Sequence, residues 1–172
     1  MVQPFSRQAV GALRDSNIAV QVVRQFSTFV ELSCIEDDES TKVQFALDSP
    51  FHLNPPDNSE YGIQIASFAD LATDKLLAFT GRMESRDAVD LFLLLKDANL
   101  EDFFAMAQRK DPGFDRYWFS IACVKVQEFP DELDCWPVEM LIPLDIEQLK
   151  AMFQGLGQDY LRDIKRANQS SG

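Results

Sequence analysis

Residues 71–96, LATDKLLAFTGRMESRDAVDLFLLLK, carry charged side chains at positions that helical periodicity assigns to a buried face. A rotation of ~100° per residue predicts one apolar stripe, formed by Phe68, Leu71, Ala72, Leu76 and Phe79. Lys75 lies within this stripe, and Arg82 lies two turns further along it. The next helix is apolar on nearly every side, yet Asp87 and Asp90 share one of its edges. Because a buried charge without a partner costs several kcal/mol, we expect these four groups to pair or to line a functional site.

Lys75 has two interpretations. A lysine within an apolar stripe can bury its aliphatic stem and extend its ammonium group to solvent, which is the commoner arrangement. Alternatively, the ammonium points into a cleft and binds an anion such as a triphosphate, where it acts as a compact point charge.

The two aspartates also have structural and functional interpretations. Asp87 falls in the first turn of its helix, where a carboxylate interacts favourably with the helix dipole, by about 0.3–1 kcal/mol. Asp90 lies one turn further on, and its structural interpretation is a buried ion pair with Lys75, Arg82 or Arg86. Its functional interpretation is general-base catalysis or metal ligation.

Outward from this stretch, the pattern predicts an α+β fold. A short helix over residues 6–15 is followed by three strands, at 18–23, 29–35 and 42–47, with short connections that are typical of an antiparallel meander. The proline-rich stretch 49–60 is predicted to be a loop, and Ser67 is a predicted N-cap with Asp70 at the third helical position. Five helices are then predicted, at about 67–81, 85–97, 99–109, 113–127 and 145–166.

We therefore divide the chain into three parts: a sheet region (1–66), a helical region (67–167) and a disordered tail (168–172). The order of a small sheet followed by helices, without alternation of strand and helix, is typical of α+β proteins. Aromatic residues Phe114, Tyr117, Trp118 and Phe119 recur at helical spacing and are predicted to be core.

Composition excludes several classes of protein. The 172 residues are 46% hydrophobic, which is enough for a sizeable core, and no apolar run is long enough for a transmembrane helix or a secretory signal. A net charge of −12 disfavours non-specific binding to nucleic acid. Three cysteines without CxxC spacing predict reduced thiols in a cytoplasmic compartment. His52 is the single histidine, so a histidine metal site is not expected, and no GxSxG or P-loop motif is present.

Several motifs in order resemble one protein family. They are GIQIASFADLATDK at 62–75, Gly81-Arg82, and Arg86-Asp87 followed by Asp90-Leu91. KVQFALDSPFHLNPP at 42–56 and FPDELDCWPVEML at 129–141 extend the similarity over about residues 42–153. This series is similar to the nucleotidyltransferase toxins of the abortive-infection AbiEii/AbiGii type.

The resemblance implies a partial nucleotidyltransferase-like sheet, antiparallel or mixed, followed by a C-terminal helical cluster. Members of the family are thought to transfer a nucleotide from an NTP to a macromolecular acceptor until a protein antitoxin neutralises them. The motif match implies that Lys75, with Arg82 and Arg86, contacts the nucleotide. It implies catalytic roles for Asp87 and Asp90.

The chain departs from the family pattern at the metal site. The family's Gly-Ser/Thr segment and Asp-x-Asp strand, whose carboxylates hold two Mg²⁺, have no counterpart here. Asp48 is a weak candidate for a remaining metal ligand. We therefore expect an amino-terminally truncated member that binds neither Mg²⁺ nor NTP tightly by itself and is inactive alone, although its enzymatic status stays open.

Two other interpretations are kept. In the first, the chain is a non-enzymatic interaction or dimerisation module in which Lys75, Arg82, Asp87 and Asp90 form a structural ion network. Its incomplete sheet would then drive homo-oligomer formation through an exposed edge. In the second, it is a different small-molecule-binding α+β domain.

Overall fold

The computed structural model describes residues 2–47 and 51–170, except for the side chains of residues 168 and 170. The chain divides into two compact units, Met1–Pro50 and Phe51–Gly172. Asp48, the weak metal-ligand candidate, lies outside the described residues.

The first unit is a three-stranded antiparallel sheet with one helix. Helix α1 (Gln3–Asp15) is followed by β1 (Ala19–Gln25), β2 (Phe29–Glu36) and β3 (Glu39–Ala46), with β2 in the centre. The predicted meander is confirmed, with register pairs such as Val20–Cys34 and Leu32–Val43.

One face of this sheet forms the core of the first unit. The fully buried members alternate along β2 and are Val30, Leu32 and Cys34. Val10 and Leu13 of α1 pack against them, as periodicity predicts for an amphipathic helix.

The second unit is mostly helical and contains a two-stranded ribbon, β4 (Asp57–Asn58) paired with β5 (Gln64–Ile65). Its helices are α2 (Phe68–Arg82), α3 (Ser85–Leu94), α4 (Leu100–Lys110), α5 (Arg116–Lys125) and α6 (Ile146–Ser170). Two 3₁₀ turns lie at Val126–Glu128 and Leu133–Cys135. The α+β class is therefore confirmed.

Stacked phenylalanines form the core of the second unit. Phe79 of α2 packs on Phe153 of α6 with ring centroids 4.9 Å apart, and Phe104 of α4 packs edge-on against Phe119 of α5 at 5.0 Å. All four side chains are fully buried. This aromatic cluster fixes α2, and with it the charged residues of the 71–96 stretch.

The predicted stripe on α2 is partly wrong. Leu76 and Phe79 are fully buried, but Phe68 is 63% exposed and Leu71 is 45% exposed. The reason is that the helix turns a different face inward: Ala72 and Thr73 are fully buried beside Leu76. Lys75 consequently lies at the border of the buried face instead of within it.

The aromatic stretch of α5 also differs from the prediction. Phe114 and Phe119 are buried, whereas Tyr117 is 43% exposed and Trp118 is 55% exposed. Phe114 precedes α5, and helical spacing places Phe119 on the side of α5 that meets the core and Tyr117 and Trp118 away from it.

The boundaries of the parts differ as well. The stretch from Phe51 to Ala66 belongs to the helical unit, because Asp70 of α2 accepts hydrogen bonds from the backbone of Leu53 and Asn54. Helix α6 continues to Ser170, into the stretch that the sequence assigns to a disordered tail. None of the helices in 2–47 and 51–170 has the length and hydropathy needed to span a bilayer.

Candidate functional site

Lys75 and Asp90 form an ion pair between α2 and α3. Lys75 Nζ donates to Asp90 Oδ2 at 2.6 Å, and the two side chains are 36% and 39% exposed. Asp90 is thus paired with one of its three predicted partners, but the pair is half-exposed and not buried. A partly hydrated pair contributes little to stability, so both groups can exchange partners at low cost.

Arg82 and Asp87 form a second ion pair at the turn between the same helices. Arg82 donates from Nε and Nη2 to the two carboxylate oxygens of Asp87, at 3.2 and 2.5 Å. Asp87 is 1% exposed, whereas Arg82 is 49% exposed. A bidentate guanidinium–carboxylate contact is among the strongest polar contacts in proteins, and here it joins the end of α2 to the start of α3.

The backbone at this turn allows the contact to form. Met83, the C-cap of α2, adopts the left-handed conformation with φ 54°. Helices commonly end in this way, although glycine is the usual residue. The chain therefore changes direction over Met83 and Glu84, which places Asp87 of α3 beside Arg82 of α2.

Arg86 lies apart from these two pairs. Its Nε donates to Glu84 at 2.7 Å, and both side chains are about half-exposed. The structure thus brings together Lys75 with Asp90 and Arg82 with Asp87, while Arg86 contacts a glutamate that the sequence analysis did not select.

The described residues do not fit the two-metal centre that the family resemblance implies. Within 2–47 and 51–170, no group of three or more histidine, cysteine, aspartate or glutamate side chains is arranged to hold a metal ion. Both oxygens of Asp87 accept from Arg82, and Asp90 binds Lys75. We therefore derive no step through a bound metal.

Sequence analysis missed a charged cluster centred on Asp70, which we call the Asp70 cluster (Ser67, Asp70, Asp74, Lys110 and the backbone of Leu53 and Asn54). Lys110 Nζ lies 3.1 Å from Asp70 and 2.7 Å from Asp74. Lys110 is 7% exposed and Asp70 is 1% exposed. This is a buried lysine–aspartate pair, an arrangement that was one of the interpretations for Asp90 and that the structure shows at Asp70 instead.

Asp70 is held as a carboxylate by four donors. Its oxygens accept from Leu53 N at 2.9 Å, Asn54 N at 3.1 Å, Ser67 Oγ at 2.7 Å and Lys110 Nζ at 3.1 Å. Burial alone raises the pKa of Asp70, but these hydrogen bonds outweigh it and hold the pKa far below its usual range.

Lys110 shows the complementary effect. Burial alone lowers the pKa of the Lys110 ammonium, but the hydrogen bonds and charges of Asp74 and Asp70 raise it above its usual value. The sequence offered one signal for this cluster, the capping box predicted for Ser67 and Asp70. The N-cap half is confirmed by the 3.1 Å bond from Asp70 N to Ser67 Oγ, whereas the Asp70 carboxylate accepts from Ser67 Oγ and not from Ser67 N. Nothing in the sequence links that box to Lys110, 40 residues later.

Comparison with known proteins identifies one family. The model of the family described as "Nucleotidyl transferase AbiEii toxin, Type IV TA system" matches residues 22–165. No curated protein and no solved structure matches the chain. The family match covers most of the chain, including both ion pairs between α2 and α3, and the chain belongs to the AbiEii nucleotidyl transferase toxin family of type IV toxin–antitoxin systems.

Proposed function

We propose that the helical unit provides the nucleotide-binding side of a nucleotidyltransferase toxin, with Lys75 as the group that contacts the NTP phosphates. The half-exposed pair of Lys75 with Asp90 supports this role most directly. An incoming phosphate can replace Asp90 as the partner of the ammonium without desolvating a buried charge. Arg82 and Arg86, each about half-exposed, add positive charge to the same two helices.

The two aspartates are given different roles. Asp90 is the candidate general base, because a phosphate that takes over Lys75 leaves its carboxylate free to accept a proton from an acceptor hydroxyl. Asp87 is 1% exposed and has both oxygens bound by Arg82, so it acts as a positioning residue that holds α3 against α2. This differs from the catalytic role that the motif match implies for Asp87.

We further propose that the 172-residue chain by itself binds NTP weakly and does not complete nucleotide transfer. The described residues offer no cluster of metal ligands, and the phosphate charge must be neutralised for transfer to proceed. The acceptor is a macromolecule recognised by a specific surface, because the net charge of −12 disfavours non-specific binding to nucleic acid. A type IV toxin–antitoxin family implies an antitoxin partner.

Calorimetric titration with NTPs, with and without Mg²⁺, tests the proposal. Lys75→Ala should weaken binding at least tenfold, because it removes the cation. Lys125→Ala is the matched control, since Lys125 is also an ion-paired, half-exposed lysine on a helix of this unit. Equal binding by both variants, or no binding by the unmodified chain at millimolar NTP, would reject the nucleotide site.

The ion pairs also support the second candidate, a non-enzymatic dimerisation module. Each of the four residues has a partner of opposite charge among the other three, in the pairs Lys75–Asp90 and Arg82–Asp87, as a structural role requires. The three-stranded sheet ends at β1, where Val22 and Val23 are 46% and 49% exposed. A homodimer formed through this edge would dissociate in Val23→Lys, which light scattering after size exclusion would detect.

A further inference from the structure

A groove lies beside Asp90, between α3 and the irregular segment 138–142. Its cavity volume is about 420 Å³. The apolar lining consists of Val89, Leu93, Val138, Met140, Leu141 and Ile142. Arg86, Asp90 and Glu139 supply the charged groups at its border. Mostly apolar clefts of about 300–1,000 Å³ with a few polar groups are typical of small-molecule sites.

The outer wall of the groove is unusually exposed. Leu141 is 97% exposed and Ile142 is 53% exposed, whereas Val89 on the opposite side is 3% exposed. A leucine that contributes almost nothing to the core is free to cover a bound ligand. The groove therefore combines a fixed apolar floor on α3 with apolar side chains that still face water.

The backbone of the same wall has unused hydrogen-bond donors. Within the part of the chain that the structure describes, the N–H groups of Glu139, Met140, Leu141 and Ile142 donate no hydrogen bond. Pro137 and Pro143 flank the segment and restrict its backbone. These donors have no protein partner and can exchange water for the ring nitrogens and carbonyl oxygens along the edge of a heterocycle.

The groove adjoins the candidate phosphate site through Asp90. Asp90, which lines the groove, has its Oδ2 atom 2.6 Å from Lys75 Nζ. A ligand that fits both places needs a flat apolar body with hydrogen-bonding edges and a polyanion next to it. A nucleoside triphosphate has both parts.

We propose that this groove binds the base and sugar of the nucleotide whose phosphates contact Lys75, an inference that rests on the function proposed above. Leu141 and Met140 pack on one face of the base, and Val89 and Leu93 pack on the other. The free N–H groups of 139–142 bind the edge of the base. Arg86 at the border provides a second cation for the phosphates.

The test compares two probes on the full chain, each NTP and inorganic tripolyphosphate, by calorimetric titration. Leu141→Asp should weaken the binding of the preferred NTP about tenfold and the binding of tripolyphosphate much less, because the latter has no base and is affected only by the added negative charge. Leu141→Ser, which adds no charge, should weaken NTP binding in the same direction. Because Leu141 is almost fully exposed, both variants keep the fold, which circular dichroism verifies.

Ile63→Asp is the matched control, since Ile63 is a 60% exposed apolar residue in a loop of the same unit and does not line the groove. Unchanged NTP binding by both Leu141 variants would overturn the inference. The exposed side chains of this wall would then be assigned to contact with a protein partner. Equal losses for NTP and tripolyphosphate in Leu141→Ser would also overturn it. Lys75→Ala distinguishes the two proposals, because it should weaken the binding of both NTP and tripolyphosphate. Unchanged binding of both probes in Lys75→Ala would reject the phosphate site, whatever the Leu141 variants show.

Discussion

Arg82 donates to both carboxylate oxygens of Asp87, and the carboxylate is almost completely shielded from water while the guanidinium is half-exposed. The contact spans five residues and joins the last residue of α2 to the first turn of α3. Because the turn between them contains only Met83 and Glu84, this pair fixes the position of α3. Lys75 and Asp90, further along the two helices, can meet only if that position is kept.

Replacement of Arg82 should therefore destabilise the chain. Arg82→Ala leaves a buried carboxylate without donors from the guanidinium, and we expect a loss of about 1–3 kcal/mol in the free energy of unfolding. Arg82→Lys should lose less, because it keeps the charge but not the bidentate geometry. Urea denaturation at pH 7 measures both.

The control is Arg162→Ala, because Arg162 pairs with Asp159 on the exposed face of α6 with both side chains more than half-exposed. The decrease in the free energy of unfolding caused by Arg162→Ala should stay below about 0.5 kcal/mol. A cost for Arg82→Ala no greater than that of the control would show that Asp87 does not depend on Arg82.

Asp90→Asn and Asp87→Asn should affect stability and phosphate binding differently, because Asp90 is in the half-exposed ion pair and Asp87 is in the buried one. The half-exposed pair with Lys75 contributes at most about 1 kcal/mol, so the unfolding free energy should change little. Binding of tripolyphosphate should become several-fold tighter, because Lys75 loses its competing anion. Asp87→Asn, at the buried pair, should show the reverse result: a clear loss of stability and no gain in affinity.

The Asp70 cluster should make stability depend on acidity. The pKa of Asp70 is held far below that of the unfolded chain, about 3.9, so its contribution is complete above that value. As the pH falls below about 4, the carboxylate of Asp70 becomes protonated in the unfolded state but stays ionised in the folded state. Its contribution to the free energy of unfolding is then progressively lost. The difference in unfolding free energy between the unmodified chain and Asp70→Asn should thus be constant from pH 7 to 5 and shrink towards pH 3.

Urea denaturation at these pH values provides the measurement, and taking the difference cancels the other carboxylates. Asp102→Asn, on the exposed face of α4, is a suitable control and should show no comparable trend. A difference for Asp70→Asn that stays constant down to pH 3 would contradict the assignment.

Alanine substitutions at two glycines of α6 should change the stability of the chain in opposite directions. A Cβ at Gly157 would lie 2.9 Å from Cys123 Cβ and 3.4 Å from Ser120 O of α5, so the two helices must move apart. We expect Gly157→Ala to cost about 1–3 kcal/mol from overpacking, which exceeds the gain in helix propensity. Gly155→Ala meets nothing within 4 Å and should stabilise the helix by about 0.5–1 kcal/mol. Thermal unfolding midpoints that shift in the same direction would refute this packing.

The three thiols should differ in reactivity. Cys135 is exposed, whereas Cys34 and Cys123 are buried, and burial raises the pKa of the Cys123 thiol. Alkylation of the native chain at pH 8 should label Cys135 first, and all three should react in denaturant. Peptide mapping identifies the sites, and rapid native labelling of Cys123 would contradict its position between α5 and α6.

The sequence predicts the helices and strands better than it predicts which of their faces pack against each other. The three strands of the meander and the N-cap at Ser67 follow from local signals, and the structure confirms them. The exposure of Phe68 and Leu71 could not be predicted, because it depends on which side of α2 meets the other helices. Periodicity defines an apolar stripe only to within about one residue on either side.

The same limit applies to the charged groups. The structure pairs Lys75 with Asp90 and Arg82 with Asp87, which is the ion-pair interpretation that the sequence left open beside the functional one. Pairing could be proposed because these residues are close in sequence and on adjacent helices. Lys110 could not be selected from the sequence, because it ends a helix, where lysine is common. Its partners Asp70 and Asp74 approach it only through the packing of α4 on α2. The roles of the four selected residues in nucleotide binding and catalysis stay predictions.

The Asp70 carboxylate also couples two stretches of backbone that secondary structure leaves separate. The amides of Leu53 and Asn54 lie in a proline-rich loop, yet they donate to a side chain of the first turn of α2. Their exchange with solvent deuterium requires that their bonds to this carboxylate break, and the same carboxylate accepts from Lys110 on α4, which also binds Asp74. We therefore expect the opening of the loop to be coupled to the beginning of α2 and the end of α4, with more protection of the two amides than the loop alone would provide.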